Sequence, residues 1–193
     1  MPKLEQRFLT PVAGNRSHPV GLFLWQMDDQ SRRLTEDTRG ATPDELGWQP
    51  APGMNTIGQL LAHIAVVEVR WINRAVLGPE RGDEGDLGIT RAEIGIPMPE
   101  EAAAPAALGG RDLAYFDDLR ARARARTKQL VATLTDADLD RRYRFMATWT
   151  TDTEFECTVG WTLYHVLEHE AGHYGQVNLL RHLHRVRAGA MRT

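Results

Sequence analysis

The segment WTLYHVLEHEAGHYGQVNLLRHLH, residues 161–184, constrains the fold more than any other part of the chain. Its histidines His165, His169 and His173 recur at steps of four residues, which places all three on one narrow face of an α-helix. Leucines and valines surround this face and indicate burial, and buried polar side chains need partners. Two interpretations follow, a solvated histidine-rich face or one half of a metal site.

A further histidine lies in an equally apolar segment. His63 stands within IGQLLAHIAVVEVRWI, residues 57–72, where the apolar positions keep helical spacing. Metal sites in helical bundles are built from side chains that project inward from facing helices. We therefore predict that His63 faces His169 and His173 across the protein interior.

Capping residues and terminators divide the chain into four long helices. Ser17, Thr56 and Asp112 can each cap a helix, and these helices run to about Gly40, Leu77 and Leu134, while the fourth covers residues 161–187. Short capped turns are predicted at 42–46, 90–94 and 135–140.

The sequence therefore predicts an all-α fold, a four-helix bundle with a long connection between helices 2 and 3. That connection, residues 78–111, is rich in Gly, Pro and Ala, and its length is typical of functional or mobile segments. Aromatic and β-branched residues in 141–159 favour a short hairpin before the last helix. We expect a single domain over residues 1–193.

Composition narrows the function classes. A net charge of −3 gives no electrostatic case for nucleic acid, and we interpret the run RARARARTK, residues 120–128, as a solvated helix face. A single cysteine, Cys157, excludes an internal disulfide and fits a reducing cytoplasm. No apolar run is long enough for a membrane span and no signal peptide is evident, so we expect a cytoplasmic protein with no membrane partner.

Residues 169–173 match the H-E-x-x-H signature of zinc proteases, in which the Glu acts as general base. The longer protease motif fails here, because Gln176 stands at a required Gly and Leu179 at the third His. No Asp or Glu follows Glu170 either, so no downstream carboxylate can serve as a ligand. We do not expect a protease, and Glu170 is predicted to lie beside the site or on the surface.

The segments NTIGQLLAHIAVVEVRW and TVGWTLYHVLEHEAGHYGQVNLLRHL together resemble the DinB/YfiT-like superfamily. Its members are four-helix bundles that hold a divalent metal through three histidines, one on the second helix and two on the last. By this resemblance the metal ligands are His63, His169 and His173. Relatives often carry Arg where this chain has Tyr174, so a role for that Arg is not carried over.

The resemblance also implies a chemistry, since relatives include thiol S-transferases and isomerases that use bacillithiol, mycothiol or glutathione. Three neutral imidazoles leave Zn, Ni, Fe or Mn with open positions for a thiol, which would attack an electrophile. A small-molecule thiol and an electrophilic substrate are the expected partners, with Gln176 and Glu170 as candidate catalytic residues. A homodimer is compatible with this interpretation.

Two other functions stay open. One is a metal-dependent hydrolase that activates water. The other is a non-catalytic bundle that binds a metal or a ligand without turnover.

Overall fold

The computed structural model describes residues 4–147, 150 and 152–190. Within them the chain is mostly helical with a small antiparallel sheet. The helices and strands, in chain order, are α1 His18–Thr38, α2 Pro43–Gly47, α3 Ile57–Leu77, α4 Arg91–Ile94, α5 Leu113–Val131, α6 Asp136–Leu139, β1 Arg142–Met146, β2 Glu154–Thr158 and α7 Val159–Ala190.

The predicted capping residues begin the long helices. Ser17 Oγ accepts a hydrogen bond from the Val20 N–H, and the Asp112 carboxylate accepts one from the Tyr115 N–H. Thr56 forms a full capping box with Gln59, which satisfies two backbone N–H groups at the start of α3. At its other end α3 stops at Gly78, whose φ of 131° is a conformation that favours glycine.

The bounds of helices α5 and α7 differ from the prediction. Helix α7 begins at Val159, where it follows β2 directly, and Thr158 Oγ1 accepts a hydrogen bond from the Trp161 N–H at this junction. Helix α5 ends at Val131, because the chain turns through Ala132–Leu134 into α6.

Helix α3 is the central element of the fold. It packs against both α5 and α7, and α1 also contacts α7 and α5. Most of the α3 side chains are buried, including Leu61, Ala65 and Ile72. Because α3 and α7 lie in contact, their histidines can face each other.

The predicted hairpin is present between α6 and α7. Strands β1 and β2 pair antiparallel, with Tyr143 opposite Cys157 and Phe145 opposite Phe155. Phe145 and Cys157 are buried against the core, and Phe145 meets the Trp71 ring edge-on. Residues 148, 149 and 151, which fall between the two strands in the sequence, lie outside the described residues.

The long connection from α3 to α5 is anchored to the core. It contains α4, capped by Thr90 as predicted, and two short 3-10 turns at Gly85–Leu87 and Ala106–Leu108. Four of its apolar side chains are buried in the same cluster as α3, namely Leu87, Ile89, Ile94 and Leu108. The segment therefore covers one side of the helical core.

The interpretation of residues 120–128 as a solvated face is wrong for two of its arginines. Arg120 and Arg124 are only 7% and 8% exposed, whereas Arg122 points outward and pairs with Asp118. Arginines four residues apart share a helix face, so Arg120 and Arg124 point inward together. In the described part of the chain, no helix has the length and apolarity that crossing a membrane requires.

Candidate metal centre

The structure brings together the three histidines that the sequence singled out. His63 lies in the second turn of α3, and His169 and His173 lie one turn apart on the facing side of α7. Their Nε2 atoms point toward one another, with 3.2 Å between His63 and His169 and 3.1 Å between His169 and His173. The three ring nitrogens all lie within 4.8 Å of one another. We call these three residues the histidine cluster.

These separations fit a metal ion. Two imidazole nitrogens bound to one ion at about 2.1 Å lie roughly 3.0–3.4 Å apart for angles between octahedral and tetrahedral. Both measured separations fall in this interval. Among the described residues, this is the one group of three or more His, Cys, Asp or Glu side chains close enough to hold an ion.

The charge state of the cluster also suits a metal ligand. Burial, together with the nearby charge of His173, lowers the pKa of His63 to about 3. Burial likewise lowers the pKa of His169 to about 2, with further contributions from His173 and His63. Both rings are therefore neutral at physiological pH, and a neutral imidazole has the lone pair that a metal needs.

Gln176 fixes the orientation of one ring. An amide oxygen can only accept a hydrogen bond, so His173 Nδ1 donates to Gln176 Oε1 at 2.7 Å. With the proton on Nδ1, Nε2 is the nitrogen of His173 that can offer a lone pair to the cluster. The sequence analysis named Gln176 as a candidate catalytic residue, and the structure places its side chain against His173.

His63 is held differently. Its Nδ1 is buried and has no hydrogen-bond partner in the part of the chain that the structure describes. Its ring instead packs at centroid distances of 5.0 Å from both His169 and His173. The orientation of His63 therefore rests on packing within α3 and α7.

Glu170 points away from the histidine cluster into the protein interior, where it is 1% exposed. It accepts hydrogen bonds from Ser31 Oγ at 2.6 Å and Arg124 Nη2 at 3.0 Å. Arg124 also makes a two-point ion pair with Glu68 through Nε and Nη2, at 2.8 and 3.0 Å. A surface position for Glu170 is therefore wrong, and these contacts favour a structural over a catalytic role.

This buried ion network joins all four long helices, because Ser31 lies on α1, Glu68 on α3, Arg124 on α5 and Glu170 on α7. Burial raises the pKa of Glu170 against the opposing charge of Arg124. Burial by itself would lower the pKa of Arg124, but the charge of Glu68 and its other carboxylate neighbours raises it. Glu170 directly follows His169 in the chain, so the network fixes the position of α7 next to the cluster.

A cavity of about 570 Å³ opens beside the cluster and is lined by His63 and His169. Aromatic rings form part of its wall, namely Trp71, Trp161 and Phe155. His165, the remaining histidine of the stripe, stacks on Trp161 at 4.8 Å and hydrogen-bonds Glu168. It lines the cavity and is not part of the three-residue group.

Two further residues contact other parts of the molecule. The Tyr174 hydroxyl donates a hydrogen bond to the Asp37 carboxylate on α1 and lowers the pKa of Asp37. Tyr174 therefore connects α7 to α1. Cys157 is a buried free thiol on β2, and burial raises its pKa, as expected of a small apolar residue.

The fold and the cluster together define a helical protein with a three-histidine site on two facing helices. The sequence pattern of the DinB superfamily matches residues 26–177, a range that includes the whole cluster. The chain therefore belongs to the DinB superfamily.

A solved structure supports the fold. The crystal structure of a conserved protein from Enterococcus faecalis matches with a TM-score of 0.60 and 17% sequence identity, over 84% of this chain and 94% of that chain. A comparison with curated protein sequences found no match.

Proposed function

We propose that this protein binds one divalent metal ion, of Zn, Ni, Fe or Mn, through His63, His169 and His173, and that it is a metal-dependent thiol S-transferase or isomerase. The observation that carries the proposal is the convergence of three Nε2 atoms beside a cavity of about 570 Å³. That volume lies in the range of small-molecule sites. Membership of the DinB superfamily, whose proteins typically bind a metal, adds support.

Three ligands from the protein leave room for a substrate atom at the ion. A bound divalent ion supplies Lewis acidity, which lowers the pKa of an adjacent thiol and makes a thiolate available at neutral pH. The chain's own residues then have defined tasks. His63 and His169 contribute neutral rings at the cavity wall, and Gln176 keeps His173 in the tautomer that can bind the ion.

The cavity would hold the electrophile against the thiolate. The aromatic wall, with Trp71 and Trp161, offers apolar contact area. In the transfer step a sulfur–carbon bond forms while the bond from that carbon to its leaving group breaks, and the leaving group takes the electron pair. The thiol proton passes to solvent. Proximity of the two reactants is the main contribution of the cavity.

We further propose that the four long helices act as a single-domain four-helix bundle. The contacts of α3 with α5 and α7, and of α1 with α7 and α5, support this arrangement. In such a bundle the network around Arg124 would keep α3 and α7 in the alignment that the cluster needs.

The test is thiol-dependent consumption of an electrophile. The purified protein is stripped with a chelator, reloaded separately with Zn²⁺, Ni²⁺, Fe²⁺ or Mn²⁺, and supplied with bacillithiol, mycothiol or glutathione and 1-chloro-2,4-dinitrobenzene. We expect faster consumption with metal than without, and no such gain in His169→Ala. Cys157→Ala is the matched control, because it removes the protein's own thiol and should leave the rate unchanged.

The same experiment separates the alternative functions. A metal-dependent hydrolase would consume ester or amide substrates with no thiol present. A binding bundle would take up metal and ligand without turnover. Equal rates for stripped and reloaded protein with all three thiols would contradict the transferase proposal.

A further inference from the structure

One side chain in the cavity beside the histidine cluster has a charge that the described structure leaves unbalanced. Arg74 lies near the end of α3, lines the cavity and is 6% exposed. Its Nε is buried without an acceptor, and its guanidinium makes no ion pair with any described carboxylate. Its guanidinium lies 4.6 Å from the centroid of the Phe145 ring. A buried cation without an anionic partner is costly, so such a group marks a place where an anion belongs.

The backbone around Arg74 is shaped to the guanidinium. A Cβ atom at Gly82 would lie 2.3 Å from Arg74 Nε, so a side chain at residue 82 would displace the guanidinium from its present position. This close contact restricts the guanidinium on one side, and the cavity lies on another.

Neighbouring residues add positive charge. Arg70 and Arg91 line the same cavity, and Arg70 is paired with Glu84 at 2.7 Å. Glu168 is the acidic residue that lines this cavity, and it hydrogen-bonds His165. Burial lowers the pKa of Arg74, and the charges of Arg70 and Arg91 lower it further, whereas Tyr143 and Glu84 act in the opposite direction.

The positive groups are aligned with the histidine cluster. Residues 7 and 11 positions after His63 return to nearly the same face of an α-helix, and these are Arg70 and Arg74. The axial rise from His63 to Arg74 is about 16 Å. A molecule that reached from one end of this face to the other would be elongated, and the wall between includes Val67 and Trp71.

We propose that the cavity binds an elongated organic anion, with its carboxylate or phosphate at Arg74, its apolar body along the aromatic wall and its far end at His63 and His169. Arg70 and Arg91 add to the positive potential at the anionic end. This inference names a class of substrate for the proposed function. It rests on that proposed function only where it places the reacting end of the molecule at His63 and His169. Binding of the anion itself requires only the residues of the cavity.

The test compares an anion with its neutral isostere. Titration calorimetry measures 6-phenylhexanoate and 6-phenylhexanamide on the metal-free and the metal-loaded protein, and 6-phenylhexyl phosphate tests the other anionic group. We expect at least one of the two anions to bind about 10- to 100-fold more tightly than the amide in both forms of the protein. Arg74→Gln should remove this preference, and Arg74→Lys should keep part of it. Arg81→Gln, at an exposed arginine in the same connection, is the control that should keep all of it.

Three results would overturn the inference. The first is that the wild-type protein binds the amide as tightly as it binds both anions. Another is an anion preference that survives in Arg74→Gln. The third is a preference seen only with metal, which would place the anionic group at the histidine cluster. If Arg74→Gln does not fold, the comparison of anion and amide in the wild-type protein and in Arg74→Lys still tests the inference. Loss of metal binding or of thiol transfer would leave the preference of the metal-free protein intact, so the two proposals fail separately.

Discussion

His173 Nδ1 donates a hydrogen bond to Gln176 Oε1 at 2.7 Å, three residues further along the same helix. This contact fixes the side of the imidazole that carries the proton, and with it the nitrogen that can bind a metal. Gln176, which is not one of the three histidines, therefore determines whether His173 presents Nε2 to a metal ion.

Gln176→Ala should weaken metal binding without abolishing it. Loss of such a supporting hydrogen bond typically costs about 10- to 100-fold in metal affinity, because the tautomer and the ring orientation are no longer fixed. Competition with a chromophoric chelator would measure the change. Gln129→Ala, at an exposed position on α5, is the control, and equal affinities of the two variants would contradict the role given to Gln176.

Alanine at His63, His169 or His173 should reduce the metal content from about one ion per chain to a small fraction of that. A site with three protein ligands has no spare one, so each single loss should be severe. His165→Ala is the matched control from the same helix face, and it should retain the metal. Elemental analysis after dialysis measures all four variants. Full occupancy in the three cluster variants would show that the ion binds elsewhere.

Acid should destabilise the metal-free protein through His63 and His169. The folded-state pKa values of His63 and His169 are about 3 and about 2, mainly because of burial, whereas an unfolded histidine titrates near 6.5. Below about pH 6.5 the unfolded chain takes up protons at these positions and the folded chain does not. Stability should therefore fall with falling pH until the folded-state pKa values are reached, by roughly 2 kcal/mol per histidine at about pH 5.

Urea denaturation of the stripped protein at pH 7, 6 and 5 would test this pH dependence. The double variant His63→Gln, His169→Gln lacks both titrating groups and should lose less stability over the same interval. Parallel pH profiles of the two proteins would mean that the two imidazoles are not kept neutral by the fold.

Amide hydrogen exchange should distinguish parts of the connection between α3 and α5. Residues 79–83 and 97–105 lie outside α4 and the two short turns, and we expect them to exchange faster than α3 or α5. Slower exchange is expected around Ile94 and Leu108, which are buried in the core. Uniform protection across residues 79–111, at the level of the long helices, would contradict this expectation.

The sequence predicted the histidine cluster because helical periodicity alone determines the face on which a residue lies. The four-residue steps placed His165, His169 and His173 on one face of α7, and the resemblance to the DinB/YfiT-like superfamily selected His63, His169 and His173 among the candidates. Boundaries were predictable where a capping side chain is local, as at Thr56. The hairpin depended on weaker propensity, and its predicted range still contained both strands.

The buried network was not predicted, because its partners are distant in sequence. Arg124 pairs with Glu68 and Glu170, 56 and 46 residues away. The sequence did contain a signal for this network. Glu68 and Glu170 stand within apolar helices and need a cation, and Arg120 and Arg124 are close in sequence to the buried Leu119 and Ala123. The length of the connection indicated a functional segment, and its residues Ile96 and Pro97 form part of the cavity wall. Which of its residues reach the cavity was not predictable, because the connection has no helical periodicity.

The last prediction concerns this network. Arg124→Met should destabilise the protein by about 3–5 kcal/mol, because it leaves Glu68 and Glu170 buried without their cation. Arg32→Met, at an exposed arginine on α1 that also pairs with two carboxylates, is the matched control and should have a much smaller effect. Chemical denaturation of both variants at pH 7 gives the comparison.

A triple variant shows whether the cost comes from unbalanced charge or from lost packing. Adding Glu68→Gln and Glu170→Gln to Arg124→Met removes the buried charges together, so much of the lost stability should return. If the triple variant is as unstable as Arg124→Met alone, the lost packing of the arginine side chain accounts for the loss of stability. Because Glu170 directly follows His169, folded Arg124→Met should also bind the metal more weakly than wild type, whereas Arg32→Met should not. Unchanged metal affinity in folded Arg124→Met would show that the cluster keeps its geometry without the network.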